Sequence, residues 1–469
     1  MGFGFLGQQG LAVLRTLVLA RLLTPEDFGL VGIVMLTLFA GLVLTEWGIE
    51  SALIQRSELS PGAIDVAWSL TVFRGSGLFL LAQICAPWIA IAFKRPDAES
   101  LLRIGAISFL LVNVQAVSAS LLLREMRFRD RAILDAGRDL IGAVAAITLA
   151  LWWGNAWALI LSLLLSQMVG AVAVWFMHGF RPRWSLDLVE LAEYWRFGRH
   201  LYTSGLLTYV VTRGDDITVG KLRGLSELGQ YQVVFGIAET LTRGFGDIVG
   251  KVVFPAYSHM SSQGRTLTEA FQEVWYIHLL FLLPIASTLM AFPFEIVSLL
   301  LGAQWFLAAV PFAILVFAET LRALTATFGT LILAAGRTRY LFRIKLIEAL
   351  LFGALIVPMT ARWGMTGAAS CLMLVYCVSL GAAAFGAQQV EPVVARVLAC
   401  SWEPVITAAI LSLLAWALTV GLHVPTAIGI LTWAALWSGY IWLRHWGLLI
   451  MLWAAATASF APADSKRTG

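Results

Sequence analysis

ETLTRGFGDIVGK, residues 239 to 251, sets Glu239, Arg243, Asp247 and Lys251 at every fourth position. Spacing by four keeps side chains on one slowly turning face of a helix. Long apolar runs flank the stretch on both sides. Its charged face therefore points into a protein interior or into a watery cavity within a membrane, where ionisable groups are rare and usually functional. The stretch thus specifies an all-α integral membrane protein and makes transport the leading functional question.

Composition supports the membrane placement. Hydrophobic residues make up 59% of the 469, charged residues 13%, and mean hydropathy is +0.84. A soluble domain carries about twice that share of charge. The formal net charge of +4 is small, and nucleic-acid binding has no support in it. Cys85, Cys371, Cys377 and Cys400 lie in or beside apolar runs without a CxxC pair, and the six histidines form no zinc-type cluster, so neither a metal site nor a cofactor is expected.

A span needs about 20 mostly apolar residues. Cutting the chain at its polar breaks gives about fourteen: 3–23, 29–54, 66–92, 101–123, 136–153, 157–178, 200–221, 229–254, 273–294, 308–334, 344–361, 365–387, 404–422 and 426–443. The run from Trp446 to Phe460 is short for a span and suits the membrane interface. The first segment lacks a basic leader region and an A-x-A-like cleavage site, and it carries Arg15, so it reads as a span. With the N-terminus inside, alternate loops hold eighteen lysines and arginines against seven on the other side, which places both termini in the cytoplasm. No loop is long enough for a soluble domain.

Sliding the chain by about 200 residues sets ARLLTPEDFG, residues 20 to 29, against GKLRGLSELG, residues 220 to 229. Each copy ends an apolar segment on a basic residue, turns, and opens the next span with an acid two before a glycine. This predicts a six-helix lobe over 1–199 including a cytoplasmic linker, a second over 200–400, and two further helices with the tail over 401–469, the transporter plan of related repeats about a central site.

ARLLTPEDFG at 20–29, TRGDDITVG at 212–220, LGQYQVV at 228–234, VVFPAYSHM at 252–260, LLGAQWFLAAVPF at 300–312 and LILAAGRTRY at 331–340 together resemble the polysaccharide-exporter flippases, in particular the colanic-acid type. Multidrug-and-toxin extruders and the lipid II flippase share that superfamily. The resemblance runs from about residue 10 to 400, and no specific match follows. It implies a bacterial cytoplasmic-membrane transporter. Such proteins move undecaprenyl-pyrophosphate-linked oligosaccharide units outward for exopolysaccharide, capsule or O-antigen synthesis, with no catalytic residues, and can work beside a polymerase or export machinery.

Such a substrate joins a hydrophilic glycan, an anionic pyrophosphate and a long apolar tail. The glycan needs a hydrated path, the pyrophosphate needs cationic donors, and the tail can stay in lipid at a lateral gap. Seven basic residues fall in or at the ends of spans. Facing lipid at the bilayer centre they would cost roughly 20 kcal/mol together, so they must face inward, pair or snorkel. Arg138 and Lys251 read as snorkelling. Arg15, Arg74, Arg213, Arg243 and Arg322 are the pyrophosphate candidates, because a guanidinium matches phosphate oxygens bidentately. The competing role is internal pairing, with Glu239 and Asp247 beside Arg243, Glu319 before Arg322 and Asp216 after Arg213. Asp215, Asp216, Glu239, Asp247 and Glu319 are the candidates for coupling to H+ or Na+, Asp216 and Glu239 foremost. Two rivals remain: a cation-coupled drug extruder, which would want an acid-dominated cavity, and a membrane polysaccharide polymerase or ligase, which would want a sizeable outer loop.

Overall fold

A computed structural model of the chain describes residues 2–45, 48–56, 59–262, 267–421, 428–440 and 444. The run Trp446 to Phe460 lies outside them, and so do Glu46 and the side chains of Arg243, Asp247 and Lys251. Among the described residues there is helix and no strand.

Helices α1 (Gly2–Leu22) and α2 (Pro25–Leu44) are joined by a tight turn. Thr24 caps α2: its hydroxyl accepts from the Asp27 N–H, and the Asp27 carboxylate accepts from the Thr24 N–H at 3.0 Å. Pro25 opens the helix without a donor to lose. The hydropathic segment 29–54 is not one helix. It breaks where Gly48 takes φ 66°, and a short α3 (Ile49–Gln55) follows. Then come α4 (Pro61–Ala92), α5 (Asp97–Gly105), α6 (Ile107–Arg124), α7 (Phe128–Trp153) and α8 (Trp157–Met177).

The connection 178–187 is docked on α4. Its Arg183 N–H donates to Asp65 at 3.0 Å, its Ser185 N–H donates to Ser69 at 3.0 Å, and Trp184 packs on Trp68. It leads into α9 (Leu188–Arg223). There Tyr194 donates to the Ala63 carbonyl, and burial pushes its phenol up to about 12, so it stays a neutral donor.

The remaining helices are α10 (Leu225–Ser262), α11 (Thr268–Ala291), α12 (Pro293–Leu300), α13 (Ala309–Ala334) after a 3-10 turn at Ala303–Ala308, α14 (Thr338–Gln388) and α15 (Val394–Gly421), followed by helix over 428–440. Segments 344–361 and 365–387 meet within α14 at Gly364, φ 60° and ψ −142°, with no loop between them. Eight of the described helical segments are long and apolar enough to cross a membrane, which makes this a multi-pass membrane protein. α7, α9 and α10 fall outside those eight and carry charge within their apolar runs.

α10 is the hub of the fold, packing on α13, α2, α11, α9 and α1. At one end of the bundle the chain closes on itself. A Cβ on Gly29 would overlap the Leu225 carbonyl, and a Cβ on Gly229 would overlap the Pro25 carbonyl. Pro25 and Gly29 precede Leu225 and Gly229 by 200 positions, so the contact is reciprocal. The neighbouring acids are matched as well. Asp27 accepts from the Ala156 N–H and Glu227 from the Met365 N–H, each at 3.0 Å, in both cases just after a Trp-Gly pair whose glycine has positive φ. Gln304 and Trp305 donate to the Ala20 carbonyl, each at 2.8 Å, and Arg95 pairs with Glu26 at 2.8 Å.

Gly229→Val should therefore pry this end apart. A cysteine at Ala20, buried in the native closure, should react with a membrane-impermeant maleimide at least about tenfold faster in that background, since burial governs thiol access. Equal reactivity would show that the glycine contact does not hold the end shut.

Candidate functional site

Behind the closed end lies a cavity of about 710 Å³, walled by α1, α2, α6, α7, α8, α9 and α10. Arg15 enters from α1, Arg138 from α7, Gln167 from α8, Arg213 and Asp216 from α9, and Glu239 from α10. Apolar side chains including Phe39 and Phe235 line the rest. A second cavity of about 250 Å³ runs between α1 and α10, past Ala12, Thr16 and Thr240, and shares Gln232 and Gly236 with the first.

Each charge has a particular setting. Arg213 lies 3.3 Å from Asp216 and 5.5 Å above the Phe39 ring, which stacks in turn on Tyr209. Asp215 is buried behind the wall, accepting from the Tyr231 hydroxyl at 2.7 Å and from the Asp216 N–H at 2.9 Å. Glu239 accepts from Arg322 at 3.0 Å, and Arg322 also bonds Glu319 through Nε at 2.8 Å. Arg322 thus bridges two acids on two helices. Arg15 feels the attraction of Asp139 on neighbouring α7. Arg138 comes no nearer than 4.0 Å to the Asp135 carboxylate, a distance beyond hydrogen bonding.

Of the residues singled out in the sequence, Arg15, Arg213, Asp216 and Glu239 share the cavity. Asp215 and Arg322 stand one contact behind them, and Glu319 stands behind Arg322. Arg74 is elsewhere. Its side chain is 5% exposed, donates to Asn113 at 2.8 Å and to the Thr45 carbonyl, and lies 3.9 Å from Glu50, so it braces the break between α2 and α3. Arg243 and Asp247 have side chains outside the described residues. Arg138 does not snorkel to the interface as its position in the sequence suggested. Gly170 of α8, with no side chain of its own, admits the Arg138 stem, and Arg138 lines the cavity. Gln167, Gln232 and Phe39 were missed; a lone Gln inside an apolar span is the signal that could have found the first.

The family model described as polysaccharide biosynthesis protein matches residues 18–311. Lipopolysaccharide biosynthesis protein WzxC of Escherichia coli is 22% identical over 372 residues, 79% of this chain and 76% of that protein. The succinoglycan biosynthesis transport protein ExoT of Rhizobium meliloti is 26% identical over 347 residues, 73% of this chain and 69% of that protein. Among solved structures, the lipid II flippase MurJ in an inward closed conformation superposes with a TM-score of 0.77 at 14% identity, covering 94% of this chain and 98% of that one. At that identity the likeness is one of fold.

Removing one member of a buried ion pair costs more than the pair contributes, because the partner is left uncompensated. Arg322→Ala strands Glu239 and Glu319 together and should destabilise the protein by about 3 kcal/mol or more. Arg213, with 40% of its side chain exposed, should cost well under half of that as alanine, since solvent screens such a pair. Thermal unfolding of both variants in one detergent measures the difference, and equal losses would contradict it.

Proposed function

The chain belongs to the family of polysaccharide biosynthesis proteins, and we propose that it flips lipid-pyrophosphate-linked oligosaccharide units across the bacterial cytoplasmic membrane. It is a transporter and not an enzyme. The observation that carries the substrate is the pair Arg15 and Arg138 on the wall of a cavity whose other charges, Arg213, Asp216 and Glu239, are each met by a partner of opposite sign. Two guanidinium groups on adjoining helices suit a diphosphate, which offers paired oxygens to planar donors. The hydrated volume is left for the glycan, and the side cavity between α1 and α10 gives the lipid tail a way to remain among acyl chains. The carrier is undecaprenyl, as in the family the motifs resemble.

Transport works by alternating access between two six-helix lobes over 1–199 and 200–400, with two further helices to make fourteen spans. The reciprocal contact of Gly29 and Gly229 and the matched caps of Asp27 and Glu227 support this pairing of halves. Both termini lie in the cytoplasm, so the closed end is the periplasmic one. Of the proposed pyrophosphate ligands, Arg15 with Arg138 leads. Arg213 joins them when Asp216 lets go, while Arg74 and Arg322 hold helices together. Asp216 and Glu239 are the coupling acids: taking up H+ or Na+ would release Arg213 or Arg322, a simple exchange of one positive partner for another.

A drug or organic-cation extruder on the same fold would require surplus negative charge in the cavity. Each of its acids, Asp216 and Glu239, is met by an arginine, which speaks against it.

In liposomes holding purified protein and labelled undecaprenyl-pyrophosphate oligosaccharide, wild type should expose the glycan to an external impermeant glycosidase faster than empty liposomes do. Arg15→Ala or Arg138→Ala, stably folded, should remove that gain. Wild type that matches empty liposomes under every imposed ion gradient, yet moves an organic cation, would replace this reading with the extruder.

A further inference from the structure

Gln115 of α6, 6% exposed, donates its Nε2–H to Oε1 of Gln167 on α8 at 3.0 Å. Gln167 lines the central cavity, while Gln115 lines a polar chamber of about 100 Å³ beside it, and Arg138 belongs to both. The pair therefore sits in the partition next to the cation proposed for pyrophosphate.

Its orientation follows from the packing. α7 and α8 are fixed in register, since the Ser166 hydroxyl donates to the Arg138 carbonyl at 3.0 Å and a Cβ on Gly142 would stand only 3.0 Å from that of Ser166. A Cβ on Gly170 would lie 2.6 Å from Gln115 Oε1 and 3.1 Å from Arg138 Cδ, so the amide oxygen and the arginine stem crowd one point. Reversing the Gln115 amide would turn its NH₂ toward the arginine. Gln115 keeps its oxygen beside the arginine stem and its nitrogen on Gln167. With its own oxygen taken, Gln167 has only its NH₂ to offer the cavity.

We propose that Gln167 is a specificity-determining residue whose amide N–H groups bind pyrophosphate oxygens beside Arg138, with Gln115 as its positioning residue. This rests on the flippase reading above and adds a ligand to it. A pyrophosphate esterified at both ends carries two negative charges, which Arg15 and Arg138 match. Its remaining oxygens still need donors once water is stripped away. A neutral amide supplies them without changing the charge of the wall. A monophosphate, with fewer oxygens, gains less from it.

Full-length protein in nanodiscs, titrated with undecaprenyl pyrophosphate and with undecaprenyl phosphate, tests the assignment. Gln167→Glu keeps the buried bond, because a carboxylate oxygen also accepts from Gln115, while replacing the cavity NH₂ with an oxygen. It should weaken pyrophosphate binding about tenfold or more at an unchanged unfolding temperature. Gln115→Leu, which frees the Gln167 amide to turn, should weaken pyrophosphate binding about threefold and narrow the preference for pyrophosphate over phosphate. A lowered unfolding temperature with the preference intact would make Gln115 a packing residue only and overturn its role. If Gln167→Glu binds like wild type while Arg15→Ala does not, the inference fails and the flippase reading stands. If both bind like wild type, that reading falls with it.

Discussion

An ionisable group inside an apolar helix bundle must be paired, hydrogen-bonded or wet, and this chain puts many of them there. Some positions are settled privately. Arg74 is held by Asn113, Thr45 and Glu50, Asp215 by Tyr231, Arg322 by two glutamates, and Glu348 by Lys345 and Ser379. These contacts stitch α3 to α4, α9 to α10, α10 to α13, and the two parts of α14 to each other. What faces the cavity is the remainder: Arg15, Arg138 and the Arg213–Asp216 pair, set among Phe39, Phe235 and two glutamines. The wall thus carries three arginines against the two acids Asp216 and Glu239, with Asp135 and Asp139 of α7 close to Arg138 and Arg15.

Two arginines at or behind the cavity wall have more than one partner each. Arg213 rests on the Phe39 ring as well as on Asp216, so it has somewhere to stay when the acid is neutralised. Arg322 divides itself between Glu239 at the cavity edge and Glu319 in the core. Each arginine thus has a second partner within reach on the same wall. The closed end is held differently, by backbone against backbone at Gly29 and Gly229, where no side chain can be interposed.

Much of this was legible in the residues, and the limits have physical causes. The 200-residue offset read between ARLLTPEDFG and GKLRGLSELG is the one that turns the contact of Gly29 with Leu225 into that of Gly229 with Pro25, because both copies demand the same turn and the same close approach. Pairing at short spacing was also legible: Arg213 with Asp216 and Arg322 with Glu319 are neighbours on one helix turn. Contacts between helices were not. Nothing in sequence spacing connects Glu239 to Arg322, or Gln115 to Gln167, since those depend on the rotation of one helix against another. Arg74 and Arg138 show the same limit from opposite sides. The deep one is walled off by Asn113, and the one near a span end is drawn inward by the space at Gly170. The helix break at Gly48 escaped hydropathy because hydropathy averages over backbone geometry, whereas the cut between 361 and 365 falls at the Gly364 break.

The most direct test of the central claim is an electron cryo-microscopy structure of the full chain in nanodiscs with an undecaprenyl-pyrophosphate oligosaccharide. The account places the two phosphates between Arg15 and Arg138, with the glycan toward Phe39 and Phe235 and the first isoprenes passing between α1 and α10. Phosphates bound instead to the basic loop residues outside the bundle, with the cavity holding no part of the headgroup, would contradict it.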